Sequence, residues 1–202
     1  MGKAIGLIEY KTVSTGVMVA DIMLKTAQIE IISAQTVCPG KYMVLFSGEL
    51  SAINACIERA RTDYSNNLID CFIIGNPSSG IFPALYGTSD VKELRALGIL
   101  ETFSIASIIV ASDEAAKTSD VELVEIRLAN GMCGKSYLML TGDVAAVEAA
   151  ISKAKKTASE NGMFLDSSVI ANPDKNISKY ILWFCKETLW KKVEYASYWE
   201  KK

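Results

Sequence analysis

Ala4-Ile5-Gly6-Leu7-Ile8-Glu9 returns as Ala96-Leu97-Gly98-Ile99-Leu100-Glu101, an offset of 92, and this recurrence organises the chain. At the same offset Asp21 meets Asp113, Lys25-Thr26 meets Lys117-Thr118, and Glu30 meets Glu122. The offset then grows to 94. Gly40-Lys41 pairs with Gly134-Lys135, Gly48-Glu49 with Gly142-Asp143, and Ala52, Ala55 and Ala60 with Ala146, Ala149 and Ala154. At 96, Asn76-Pro77 answers Asn172-Pro173. A duplicated unit with short loop insertions drifts in this way, the first insertion falling near residues 123–133.

Each copy reads as β-α-β-β-α-β. Residues 3–12 and 96–103 are apolar and glycine-bearing, which suits strands. Residues 16–27 and 106–119 look helical, with an Asp and a Lys four apart on one face. Ile29–Val37 and Val121–Ala129 are rich in β-branched residues, and Lys41–Ser47 and Lys135–Thr141 follow after short glycine-bearing loops. Glu49–Ser65 and Asp143–Asn161 carry small and apolar residues at helical spacing, each opened by an acid that suits a helix start. Leu68–Gly75 and Met163–Ala171 close the units. The expected fold class is α+β, an antiparallel sheet packed by helices and built twice. Residues 1–88 make the first domain and 94–178 the second, with a linker near Tyr86–Arg95.

Past Pro173 the repeat is lost to the eye. Ile177, Ile181, Cys185, Leu189 and Val193 recur every four residues, so 179–202 reads as a helical C-terminal extension carrying Trp183, Trp190 and Trp199. That helix covers the domain or docks on another protein.

Composition narrows the chemistry. The 202 residues are half hydrophobic and 22% charged, enough apolar material for a core. There is no histidine, which excludes Ser-His-Asp and Cys-His catalysis, His-ligated zinc and haem, and an imidazole pH switch. A formal charge of −2 argues against nucleic acid as a partner. The N-terminus lacks a secretory layout, Gly6 breaks the myristoylation pattern, and runs such as Leu68–Ile74 are too short to cross a membrane. A soluble, intracellular chain is expected, and with five cysteines there a disulfide framework is not.

The cysteines are therefore weighed one by one. Cys56 and Cys71 lie within apolar helical and strand runs and read as small core hydrophobes; Cys185 shares the C-terminal stripe. Cys38 differs. In Thr36-Val37-Cys38-Pro39-Gly40-Lys41 it sits between two strands, where Pro39 favours extended geometry and Gly40 a tight reversal. This presents the thiol at a loop tip, with Lys41 close enough to favour a thiolate. Read from the residues alone, Cys38 is either a working thiol or an incidental loop cysteine. As an enzymatic nucleophile it has no evident base nearby, so the chain reads as a non-enzyme. One cysteine cannot hold an iron–sulfur cluster either, because such clusters take three or four thiolates.

The duplicated AxGxxE opening, the D-x-x-x-K-[TS] helix and the β-turn-β followed by G-[DE]-[VL]-x-A resemble bacterial microcompartment shell domains. Two in one chain are similar to the tandem-domain trimeric shell proteins, and the Cys-Pro-Gly loop resembles their propanediol-utilisation type T branch. The likeness covers residues 3–175. It implies a ferredoxin-like-related domain used twice, and a homotrimer forming a flat pseudohexamer that tiles with other shell proteins in a cytoplasmic microcompartment. It implies a pore lined by Val37, Cys38, Pro39 and Gly40, with Asn130, Gly131, Met132, Cys133 and Gly134 as the second-domain counterpart. Cys38 from each of three chains would ligate one [4Fe-4S] cluster, to carry electrons across the shell, with enclosed redox enzymes as further partners, or to deliver clusters. Lys25 and Lys117 match the family's tile-edge lysine, and as helix lysines with no buried partner they should be exposed. Cys133 stands where related chains carry glycine. It is an extra thiolate at the axis or a simple loop cysteine. A metal-free metabolite pore and a small-ligand-binding regulatory protein are the alternatives.

Overall fold

A computed structural model describes residues 4–129 and 131–182. The first repeat forms β1 (Ala4–Tyr10), α1 (Val13–Thr26), β2 (Ile29–Val37), β3 (Lys41–Gly48), α2 (Leu50–Asp63) and β4 (Leu68–Ile74). A short helix, α3 (Ile81–Tyr86), leads into the second: β5 (Ala96–Thr102), α4 (Ile105–Thr118), β6 (Val121–Arg127), β7 (Ser136–Gly142), α5 (Val144–Glu160) and β8 (Phe164–Ile170). The two sheets are antiparallel and share one order, β2-β3-β1-β4 and β6-β7-β5-β8. Their registers agree too: Ala4 faces Gly48 and Tyr10 faces Tyr42, while Ala96 faces Gly142 and Thr102 faces Ser136.

The repeated glycine has a packing cause. A Cβ at Gly6 would stand 2.7 Å from Phe46 Cζ and 2.9 Å from Ile53 Cγ2, and one at Gly98 would stand 2.7 Å from Ile151 Cγ1. Each AxGxxE motif therefore marks where the strand must lie directly beneath α2 or α5, closer than any side chain allows. Glu49 and Asp143 are the residues just before those helices, as their sequence positions suggest, and neither side chain closes a capping hydrogen bond.

Alternation along the strands sorts the first sheet into two faces. Ala4, Ile8 and Tyr10 join Val44, Phe46 and residues of α1 and α2 in the domain's own core. Ile5, Leu7, Met43, Leu45, Phe72 and Ile74 face the other way, into a core shared with α3, α4 and β6. The two domains are thus joined by a continuous apolar layer rather than by a linker alone.

One element departs from the sequence reading. The stretch around α3 carried no helical assignment, being only six residues long and broken by Pro83. The helix expected from the stripe that begins at Ile177 is present over residues 175–182, and it corresponds to α3 at an offset of 96: Ile81 answers Ile177, and Leu85 answers Ile181. The repeat therefore continues past Pro173, where side-chain identity has drifted but backbone form has not. The expected extension over 179–202, with its tryptophans and Cys185, lies outside the described residues beyond position 182.

Candidate functional site

The β2–β3 loop closes as a four-residue turn in which the Gly40 N–H donates to the Val37 carbonyl at 3.0 Å. The Cys38–Pro39 bond is cis, and Gly40 takes φ +85°, a left-handed conformation that glycine adopts without strain. Cys38 is half-buried, whereas Pro39 and Gly40 are exposed. The β6–β7 loop turns through Met132-Cys133-Gly134-Lys135, with the Lys135 N–H donating to the Met132 carbonyl at 3.1 Å. Cys133 (φ +52°) and Gly134 (φ +89°) are both left-handed, the signature of a type I′ turn. Cys133 is exposed. Asn130 lies outside the described residues.

These loops, some 95 positions apart in sequence, abut. The Cys38 N–H donates to the Ala129 carbonyl at 3.3 Å. A Cβ at Gly134 would stand 3.3 Å from the Cys38 carbonyl oxygen and from Pro39 Cδ, a tight contact that adds to the preference of its positive φ for glycine. Cys38 and Cys133 thus lie on adjoining turns at one end of the molecule. No group of three or more Cys, Asp or Glu within metal-binding reach occurs among the described residues.

The ammonium of Lys41 is not aimed at Cys38. It donates to Glu9 Oε1 at 2.9 Å, across the sheet. Glu9 is fully buried, and burial pushes its carboxyl above the usual range; Lys41 pulls it back and nearby Asp70 pushes it further up. The expectation that Lys41 serves the Cys38 thiol is corrected, because a desolvated carboxylate on the same sheet face is the stronger attractor.

Beside them, Ser104 Oγ donates to Asp70 Oδ2 at 2.8 Å and accepts the Ser107 N–H at 3.3 Å. The cap of α4 in one domain is thereby fastened to β4 of the other. Sequence reasoning missed this clamp, since nothing in Asp70 or Ser104 alone announces a contact between repeats.

Cys56 is buried, and desolvation raises its thiol pKa, as suits a core residue. Cys71 is only half-buried; Arg61 Nε donates to its sulfur at 3.1 Å. Lys25 is exposed and pairs with Asp21 at 2.5 Å. Lys117 pairs with Asp113 at the same distance, but Asp113 is buried at the domain junction and also accepts the Ser78 N–H at 2.7 Å. Lys117 is itself exposed, as expected, but unlike Lys25 it has a buried partner.

A profile of the BMC domain matches residues 4–77 and 96–173, one match per sheet. The chain belongs to the BMC domain family. Over 177 residues it is 34% identical to the bacterial microcompartment shell protein PduT of Citrobacter freundii, covering 88% of this chain and 96% of that one. It superposes on a microcompartments protein from Desulfitobacterium hafniense DCB with a TM-score of 0.80 and 42% identity, covering 89% and 99% of the two chains. A fused permuted hexameric shell protein, MSM0275 of the RMM microcompartment, shares the fold at a TM-score of 0.59 and 22% identity, over 78% and 82% of the two chains. As a tandem BMC-domain protein the chain is a structural component of a bacterial microcompartment shell. No helix among the described residues is long and apolar enough to cross a membrane.

Proposed function

We propose that three copies of this chain close into a pseudohexameric, non-enzymatic shell tile, with the Cys38 loops around its central pore and one [4Fe-4S] cluster held there by three Cys38 thiolates. One observation carries the trimer: the junction inside the chain is repeated, but left open, at the chain's two ends. On α4, Ile105 and Ile109 are fully buried against the first domain; their counterparts on α1, Val13 and Val17, are 39% and 50% exposed. On the receiving side, Ile74 and Ile81 are buried, while their counterparts Ile170 and Ile177 are 40% and 48% exposed. The polar clamp has the same asymmetry, with Thr12 and Asp166 exposed where Ser104 and Asp70 meet. A surface that fits its own complement in the next copy makes head-to-tail contacts, and a ring satisfies all of them.

The donor set suits the cluster only in such a ring. One chain supplies a single thiol at each loop tip, Cys38 half-buried and Cys133 exposed, and three chains supply the three Cys38 thiolates that would hold an iron–sulfur cluster, leaving one iron for another ligand. When bound, the cluster would supply one-electron transfer across the wall. The chain's own loops orient the sulfurs and enclose the axis. Other shell proteins are the partners at the tile edge, where exposed Lys25 stands.

Anaerobic purification with iron analysis and EPR tests the cluster. Wild type and Cys133→Ser should carry the same iron, and Cys38→Ser none. Equal iron in wild type and Cys38→Ser would remove Cys38 as ligand, and no iron in any of them leaves a metal-free metabolite pore. Sedimentation tests the ring: a monomer or dimer would return the chain to the ligand-binding class.

A further inference from the structure

The face of the first sheet that meets the second domain changes character along its length. Ile5, Leu7, Leu45, Phe72 and Ile74 are apolar, but at the loop end the same face carries Glu9, Lys41 and Asp70. Glu9 is fully buried, and its Oε2 has no hydrogen-bond partner. Its other oxygen holds Lys41, whose side chain is only 19% exposed.

A buried carboxylate with one oxygen unsatisfied is expensive, and a buried ion pair adds little net stability over apolar residues of the same shape. What such a pair does supply is one fixed geometry. Lys41 is the first residue of β3, paired with Val37 across the turn that carries Cys38 and Pro39. Glu9 lies in β1, between β3 and β4, facing Met43 and Asp70. The ion pair therefore runs from the middle of the sheet to the base of the loop. At the matching register of the second domain, Glu101 and Lys135 form no ion pair among the described residues, and neither is buried.

We propose that Glu9 and Lys41 are positioning residues that tether the Cys38 turn to the sheet and so set where its thiol stands. This rests on the reading of that turn as the pore loop, but its test does not need the cluster. The full chain, in a Cys133→Ser background and stripped of iron by a chelator under argon, is treated with N-ethylmaleimide, and labelling at Cys38 is followed by peptide mass spectrometry. The double variant Glu9→Gln with Lys41→Met replaces the pair by neutral side chains of similar shape and leaves no buried charge unpaired. Its Cys38 should label about tenfold faster, the factor that about 1.4 kcal/mol of lost restraint gives. Hydrogen exchange should rise at the amides of residues 38, 40 and 41 and not at 131–135. Lys41→Arg keeps the pair and should label at the wild-type rate; Lys135→Met should as well. Wild-type labelling and exchange in the double variant would overturn the tether, as would Lys41→Arg labelling as fast as the double variant. Neither result bears on the iron content of Cys38→Ser, so the two readings fail separately.

Discussion

Glu9 shows how much a single residue's behaviour owes to what lies over it. Its carboxyl is raised chiefly by burial, so the folded chain holds a proton there more readily than the unfolded one, whose ordinary value is 4.5. Above that pH the unfolded state loses its proton first, and the ionised group weighs against folding as pH rises until the folded carboxyl has also ionised. The thermal midpoint of Glu9→Gln should therefore gain on wild type between pH 4 and pH 7; a constant difference across that range would contradict the raised carboxyl. Gly134 makes a different point. Its φ of +89° and its contact with Cys38 both oppose a side chain, so Gly134→Ala should destabilise by about 1–3 kcal/mol in denaturant unfolding. The glycine was legible in the repeat, but the carbonyl it must make room for was not.

At the scale of elements, most of the architecture could be read in advance. Both copies show strand-like runs, helical spacing and turn glycines in the same order, and the observed elements follow them to within a few residues at their ends. The AxGxxE glycines carry the fold because α2 and α5 lie on them. Gly6→Ala forces Phe46 and Ile53 to move and should cost about 1–3 kcal/mol, read as a lower thermal midpoint. What escaped was α3, and with it the fact that the helix expected from Ile177 onward repeats α3. A helix as short as α3 draws its stability from packing, not from propensity, and so leaves little periodic signal. Ile81 is buried where α3 packs against β6 and α4 of the second domain.

For the whole molecule, exposure separates residues that sequence makes equivalent. Ile109 and Val17 hold matching places in the two repeats, yet one is in the core and the other at the surface. Ile109→Ala should cost about 2–5 kcal/mol by opening a cavity between the domains, measured by denaturant unfolding. Val17→Asp should leave the chain folded, since surface changes usually shift stability by no more than about 0.5 kcal/mol, but prevent assembly in sedimentation velocity. A Val17→Asp protein that sediments as wild type would sink the head-to-tail ring.

Duplication, the α+β class, the order of strands and helices along each unit and the tight turn at Cys38-Pro39-Gly40 were all written in the sequence. They rest on local chemistry: side-chain alternation, helical period, and glycines where backbones must pass closely. The meeting of the Cys38 and Cys133 loops, the capture of Lys41 by Glu9, the Ser104–Asp70 clamp and the difference between Lys25 and Lys117 came only with tertiary structure. Each is a contact between segments far apart in the chain. A repeat gives both copies the same residues, but only the packing of one domain on the other decides which copy is covered and which still faces outward.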